Sequence, residues 1–390
     1  MNVDFDFNQD QRQLREAVLT LCERFDGQYW LEKDRDGGFP EEFYQTFAKA
    51  GWLGIAMPEE YGGAGLGITE AALMLQAVAE SGGGMSATSS IHLNIFGLNP
   101  VVVFGTEDQK KQALTPLIKG ESKACFAVTE PDAGLNTTKL TTRAIKRGSD
   151  YVVNGRKIWI STAQVADYML LLARTTPIEE VKKPTDGLSL FYTKLDRKYI
   201  EVREIDKMGR KAVDSNELFI DELPVPAADL IGEEGKGFQY ILHGMNPERI
   251  LVSAEAVGIG RAALAQATQY AKERIVFDRP IGMNQGIQHP LARCWAELEA
   301  ANLLTFRAAS LYDSKRACGS EANAAKLLSA EAATHACETA MLTHGGFGYA
   351  KEYHVERYFR EAMILRIAPV SPQLILCNIA EKVLGLPKSY

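Results

Sequence analysis

Several things are scarce in this 390-residue chain, and each scarcity closes off a class of function. Positive charge is in deficit: 43 Lys and Arg stand against 50 Asp and Glu, a formal net charge of −7. Nucleic acid demands a basic face for its phosphates, so no nucleic-acid partner is expected, although a few local cations can still hold a small anion. The six cysteines (Cys22, Cys125, Cys294, Cys318, Cys337, Cys377) are dispersed without a CxxC pair. That pattern argues for reduced thiols rather than a disulfide framework or a zinc site. The six histidines include no HxxxH pair, so no metal centre is expected. No apolar run approaches the ~18 residues that span a bilayer. The opening MNVDFDFNQDQRQLREAV lacks the basic start and apolar core of a secretory signal. The expectation is a cytoplasmic protein with no membrane span and, lacking low-complexity or like-charge tracts, no disordered arm.

What is present is an ordinary globular composition, 46% hydrophobic and 24% charged, on a chain long enough for two or three packed domains. Up to about residue 120 the apolar spacing is helical, as in the stripe Leu14, Val18, Leu21 and Phe25. Pro58 and the glycine-rich Gly62-Gly63-Ala64-Gly65-Leu66-Gly67 break the chain before a second helical stretch, ITEAALMLQAVAE. From Lys123 the period shortens. CFAVTE, DYVVNGRKIWIS, DYMLLLART, GLSLFYTKL, YIEVREI and NELFIDELPV are short β-rich runs between turns, without the helical crossovers of a parallel sheet. After Pro226 helical periodicity returns in Phe238, Ile241, Leu242 and Met245 and continues through long Ala-rich stretches. The pattern predicts a multi-domain α+β protein: an N-terminal α-helical domain (1–122), a central antiparallel β-domain (123–235) and a C-terminal helical bundle (236–390).

One motif misleads. Gly258-Ile259-Gly260-Arg261-Ala262-Ala263 fits the dinucleotide fingerprint G-x-G-x-x-A. That fingerprint works only where a strand turns into a helix, and here it lies inside a helical pattern. Small residues at a close helix crossing explain it better. CFAVTEPDAG (Cys125–Gly134) and NGRKIWIS (Asn154–Ser161) are more informative. The first exposes backbone donors and the Thr129 hydroxyl where a strand stops at Pro131. The second presents Trp159 beside the Ser161 hydroxyl. An aromatic face with hydroxyl and amide donors suits a flavin ring, though an edge strand with a buried Trp would show the same residues.

In combination these segments resemble the acyl-CoA dehydrogenase family, and the likeness extends over nearly the whole chain. MPEEYGGAG (Met57–Gly65) looks like its early loop and KMGRKAVDSNELFIDELPVP (Lys207–Pro226) like its last strands. ERIVFDRPIGMNQGIQ (Glu273–Gln288) and HGGFGYAKEYHVERYFRE (His344–Glu361) look like its two carboxy-terminal motifs. The resemblance implies a C-terminal four-helix bundle, a homotetramer, and FAD held between the β-domain and the carboxy-terminal helices of the same and neighbouring subunits. It places Phe126, Val128, Thr129, Leu135, Trp159 and Ser161 at the flavin and pyrophosphate. Arg274, Phe277, Gln285, Leu342, Gly345 and Gly346 would reach a neighbour's FAD, with Ser371 and Gln373 also at the cofactor. An Arg suits that task because its planar fork grips phosphate oxygens. Two departures stand out: Leu135-Asn136 replaces the usual Ser-Asp, and Leu342 stands where Gln is common.

The family reaction takes a proton from the α-carbon of an acyl-CoA while hydride passes from the β-carbon to flavin N5, commonly with electron-transfer flavoprotein as the acceptor. A carboxylate desolvated by apolar substrate is a suitable base, since burial raises its pKa toward the operating pH. Most members carry it in a late Y-E-G-T stretch. Here that stretch reads Arg366-Ile367-Ala368-Pro369-Val370-Ser371-Pro372-Gln373, with Pro369 at the expected Glu and no carboxylate at all. The isovaleryl-CoA and long-chain branches carry the base in an L-x-x-E-R-L stretch, matched here by Met245-Asn246-Pro247-Glu248-Arg249-Ile250. Glu248 is therefore the candidate base, with Asn246, Arg249 and Leu135 as candidate substrate contacts. As residues alone, Asn246-Pro247-Glu248 also reads as a helix start with an acid in its first turn. Competing functions are a flavin-dependent monooxygenase or nitroalkane-oxidase-like enzyme of the same superfamily, and a non-catalytic FAD-binding subunit of a hetero-oligomer.

Overall fold

The computed structural model describes residues 7–389, so the first six residues of the opening segment lie outside it. Seven helices come first: α1 (Gln9–Cys22), α2 (Gly27–Asp36), α3 (Glu41–Lys49), α4 (Ile68–Val78), α5 (Gly84–His92), α6 (Asn99–Phe104) and α7 (Glu107–Ile118). A capping box starts α1: the Gln11 amide donates to the Asn8 side chain at 2.9 Å, and the Gln11 side chain accepts from the Asn8 amide at 3.1 Å. Leu14 and Val18 are buried as the stripe requires, Leu21 is half-buried, and Phe25 folds back into the core beyond the end of α1. Between α4 and α5 the chain makes a π-helical turn, Ala79–Gly83, in which Gly82 adopts a φ of 106°. A side chain is strained at that angle, so glycine permits the bend. The start of α5 is fixed by Glu361, which accepts from the Met85 amide at 2.8 Å and from the Ser86 amide and hydroxyl at 3.1 and 2.6 Å. A buried acid at a helix N-terminus complements its orphan amides.

The middle of the chain forms one eight-stranded sheet: β1 (Ala124–Ala127), β2 (Arg143–Arg147), β3 (Asp150–Ser161), β4 (Tyr168–Arg174), β5 (Leu188–Lys194), β6 (Ile200–Glu204), β7 (Ser215–Val225) and β8 (Leu230–Ile231). Its order is β6-β7-β3-β2-β4-β5-β8, with β1 beside β4. The six expected runs all form strands. The other two escape a pattern search because β2 reads RAIKR and β8 is two residues long. The sheet is mixed rather than purely antiparallel: β1 runs parallel to β4, from Ala124↔Tyr168 to Ala127↔Leu171. No helical crossover is needed there, because the β2–β3 hairpin itself fills the connection. The unbroken apolar run in β4 divides by the period of two. Met169, Leu171 and Ala173 pack with Tyr151 and Phe191, while Leu170 and Leu172 face Leu114, Leu117 and Ile241.

The remaining helices are α8 (Gly237–His243), α9 (Met245–Glu273), α10 (Gln285–Asp313), α11 (Gly319–His344), α12 (Val355–Ile367) and α13 (Pro372–Lys382). Ile241 in the expected stripe is buried but Leu242 is exposed. A small hairpin, β9 (Ile275–Val276) and β10 (Arg279–Pro280), joins α9 to α10. Two stretches, Ile68–Phe104 and Gly237–Glu273, are long and apolar enough to cross a membrane by length and composition, which corrects the expectation that none is. Their apolarity serves the interior: the first bends at Gly82, and 83% of the apolar window of the second is buried.

Gly258 and Gly260 are packing residues. A Cβ on Gly258 would lie 2.7 Å from the Ala79 Cβ and press on the Gln76 carbonyl, and one on Gly260 would lie 2.6 Å from Leu298 Cδ2 and 3.1 Å from Ala333 Cα. Helix propensity alone favours alanine over glycine by about 1 kcal/mol, but overpacking against a fixed backbone costs about 1–3 kcal/mol. Gly258→Ala should therefore lower the urea unfolding midpoint, and a raised midpoint would show that the crossing has slack.

Candidate active site

The residues expected at the flavin converge on one edge of the sheet. β1 leads into Val128 and Thr129, and the Ile158 amide donates to the Thr129 carbonyl at 3.0 Å, stitching this segment to β3. Pairing between β3 and β7 slips between Lys157 and Ile160, and Trp159 there adopts a φ of 62°. A bulge re-aims a side chain, and a left-handed backbone at a bulky aromatic is a local strain of the kind kept at binding sites. The indole ends up 58% exposed. Ser161 and Phe126 are half-buried, Val128 is buried, and Thr129 and Leu135 are exposed. The aromatic face, the hydroxyls and the accessible backbone fit an isoalloxazine ring.

Beneath this edge lies a buried ion pair. Lys157 Nζ donates to Glu130 Oε1 at 2.9 Å and to the carbonyls of Val128 and Leu172 at 3.1 and 2.7 Å. Glu130 also accepts from the amides of Thr141 and Thr142 and from the Thr141 hydroxyl, at 2.7, 3.0 and 2.8 Å. Every donor of the ammonium is used, and the carboxylate clamps both ends of the loop that carries Leu135. Burial pushes Glu130 up, but the Lys157 charge and the hydrogen bonds overcome it and hold the carboxyl down at about 2.

Glu248 occupies the first turn of α9, so the helix-start pattern is real. Its Oε2 lies 2.8 Å from His92 Nε2, at the end of α5, and His92 Nδ1 lies 2.7 Å from Glu255 Oε1, farther along α9. The Glu248 side chain is 28% exposed and that of Glu255 only 2%. Arg249 donates to Asn246 Oδ1 at 3.1 Å, so two expected substrate contacts are bonded to each other. Helix α5 itself links this cluster to the flavin edge. Arg210 donates to Ser89 Oγ at 3.0 Å, one turn before His92, and reaches Ser161 Oγ at 3.5 Å. In the late loop the Ser371 hydroxyl caps α13 by accepting from the Leu374 amide at 3.3 Å, and Gln373 is exposed. Beneath it the buried Lys326 donates to the Val370 carbonyl at 2.7 Å. Desolvation and the neighbouring Arg366 and Arg249 push Lys326 down to about 8. The loop thus sits on a cation, with no acid of its own.

The second set of expected cofactor residues lies elsewhere. Arg274 is 26 positions along from Glu248, about 39 Å at the helical rise. Arg274, Leu342, Gly345 and Gly346 line a surface cleft of about 430 Å³. Neither Gly345 nor Gly346 has an atom within 4 Å of where a Cβ would sit, so their backbone is open to a ligand. Gln285 is exposed at the start of α10. Phe277 and Asp278 form the two-residue turn between β9 and β10, both with positive φ (50° and 61°), and Phe277 is 94% exposed. A large apolar ring is thus held out of the fold on a strained turn.

Sequence reasoning missed His92, Glu255, Arg210 and the Glu130–Lys157 pair. Glu130, Lys157 and Arg210 lie inside the quoted motifs without being singled out, and Glu255 left a signal as an acid in the otherwise apolar ILVSAEAVGIG.

Comparison with known proteins agrees with this architecture. The chain matches the N-terminal, middle and C-terminal domains of acyl-CoA dehydrogenase over residues 8–121, 125–223 and 235–384. It is 36% identical to the acyl-CoA dehydrogenase fadE12 of Mycobacterium bovis, over 98% of both chains. It is 32% identical to CarC, a subunit of the caffeyl-CoA reductase-Etf complex of Acetobacterium woodii, over 93% of this chain and 94% of that one. The butyryl-CoA dehydrogenase structure from Megasphaera elsdenii superposes with a TM-score of 0.92 at 29% identity, covering 98% of this chain and all of that one. The chain belongs to the acyl-CoA dehydrogenase family, whose members bind FAD. It is an oxidoreductase acting on acyl-CoA.

Proposed function

We propose that the protein desaturates an acyl-CoA between its α and β carbons to the trans-2-enoyl thioester, with Glu248 as the base. The observation that carries this is a carboxylate on α9, 28% exposed and held by His92 of α5, the same helix whose Ser89 is tied by Arg210 to the Ser161 hydroxyl at the flavin edge. FAD, when bound there, supplies the acceptor for the β-hydrogen. Glu248 takes the α-proton, Trp159 and Ser161 orient the ring, and Arg249 with Asn246 holds the thioester end of the substrate. Anaerobic mixing with butyryl-, isovaleryl-, octanoyl- and palmitoyl-CoA tests the reading. At least one should bleach the flavin and yield its enoyl-CoA. Bleaching by none of them, with enoyl-CoA instead oxidising the reduced protein, would favour the reductive direction that the name of CarC suggests. Electron-transfer flavoprotein is the proposed acceptor.

The same proposal includes assembly. Arg274 and Glu248 stand too far apart on α9 to serve one cofactor, so the cleft at Arg274, Gly345 and Gly346 is assigned to the FAD of a neighbouring copy in a homotetramer, with Phe277 and Gln285 beside it. Arg274→Ala removes a charge-assisted hydrogen bond worth about 1.5–3 kcal/mol. The variant should lose FAD on gel filtration while keeping its fold. A folded, colourless wild-type monomer that takes up no FAD would end this assignment.

A further inference from the structure

Among the described residues, His92 is the one imidazole set between two carboxylates of a single helix, Glu248 and Glu255 of α9, with a hydrogen-bond distance on each ring nitrogen. A neutral imidazole carries one N–H, and a carboxylate can only accept. One of the two contacts would then face lone pair to lone pair. Both contacts are satisfied only when the ring is the imidazolium and donates twice. The ring and Glu255 are well buried, so neither contact is exchanged for water at little cost.

We infer that His92 is a positioning residue for Glu248: clamped between Glu248 and Glu255, it fixes the rotamer of the base and keeps it ionised before substrate enters. The inference rests on Glu248 being the base. Only Oε2 of Glu248 is engaged, which leaves Oε1 to meet the α-proton. Glu255 plays the outer part, holding the ring from behind.

The charges around His92 agree. From α9 come Glu248, Glu255 and Arg249. Arg210 comes from the loop between β6 and β7, and Arg357 and Glu361 of α12 sit at the far end of α5. Glu80, in the turn before α5, pairs with Arg15, and Tyr44 of α3 bonds Asn94 just beyond the helix. Burial works against a charged His92, but Glu248 and Glu255 outweigh it and hold its pKa well above the ordinary value. Burial likewise pushes Glu248 up, while the His92 charge and hydrogen bond, helped by Arg249, hold it below the usual carboxylate range. The sign follows: a raised histidine is charged through and above its unfolded pKa of ~6.5. Its support of Glu248 is complete in the acidic and neutral range and is lost only as pH rises through the folded value.

The test uses FAD-loaded enzyme and the best of the four acyl-CoA substrates above, with an artificial electron acceptor. His92→Asn keeps one neutral donor and removes the charge. It should lower kcat at pH 7 about tenfold and move the acidic limb of the kcat profile up by about one pH unit. KM should stay within about twofold, because the ring does not bind substrate. Glu255→Gln, nearly isosteric, should move the same limb in the same direction by less, and it serves alone if His92→Asn does not fold. An unshifted limb in either folded variant, with Glu248→Gln inactive, overturns the positioning role and leaves the base in place. Full activity of Glu248→Gln removes the base itself.

Discussion

Glu248→Gln should lower turnover of the FAD-loaded enzyme by at least ~100-fold, the lower range for a lost general base. The amide keeps the size of the side chain and a hydrogen-bonding oxygen near His92, so FAD content and acyl-CoA binding should stay near wild type. What it removes is the capacity to accept a proton. Glu248→Asp should fall between, since one methylene withdraws the oxygen from its working position. The late loop can offer no substitute, because it rests on Lys326 and carries no acid between Arg366 and Gln373. A Glu248→Gln enzyme that still desaturates at close to the wild-type rate would place the base on another residue.

Glu130→Ala should be the most destabilising single change at the flavin edge. The pair it breaks is almost entirely dry, with Glu130 3% and Lys157 0% exposed. Breaking a buried pair from one side costs about 3–5 kcal/mol, since the other charge stays buried without compensation. Lys157 would keep only its two carbonyls, and the amides of Thr141 and Thr142 would lose their acceptor. The urea midpoint should drop accordingly, with FAD released early. Glu130→Gln combined with Lys157→Met should cost less than the sum of the single changes, because the two groups interact directly. The pair also sets an acid dependence. A carboxyl depressed from the unfolded ~4.3 contributes fully above that pH and loses its contribution as pH falls toward its folded value of about 2. Glu130→Gln should flatten this part of the stability curve. A Glu130→Ala midpoint equal to wild type would show that water enters and solvates Lys157.

Much of this arrangement is legible in the residues, and the limits of that legibility are physical. Helix spacing and β-rich runs show the order helices, sheet, helices because each element buries one face of its own. DYMLLLART reads as a β-rich run, and it forms β4. RAIKR does not read as a strand, because β2 is held by its pairing with β3 and shows little apolar alternation. The parallel pairing of β1 with β4 is invisible for a similar reason: local pattern carries no direction. The motif T-E-P-x-A-G points to the flavin edge, but the partner of its glutamate lies on another strand, so the pairing of Glu130 with Lys157 of NGRKIWIS leaves no local signal. His92 is the clearest case. A lone histidine in SSIHLN looks like core or surface, and only the approach of α5 to α9 sets it between two carboxylates.

The length of α9 carries a further consequence. One long helix bears Glu248 in its first turn and ends just before Arg274, and its middle is wedged against α4, α10 and α11 at two glycines that leave no room for a methyl group. A rod gripped at its centre behaves as a lever. A small tilt at Gly258 or Gly260 displaces both ends in opposite senses, so a packing defect far from any ligand would misalign two distant stations at once. Tolerance of substitution at that fulcrum should accordingly be lower than its apolar, unreactive surroundings suggest.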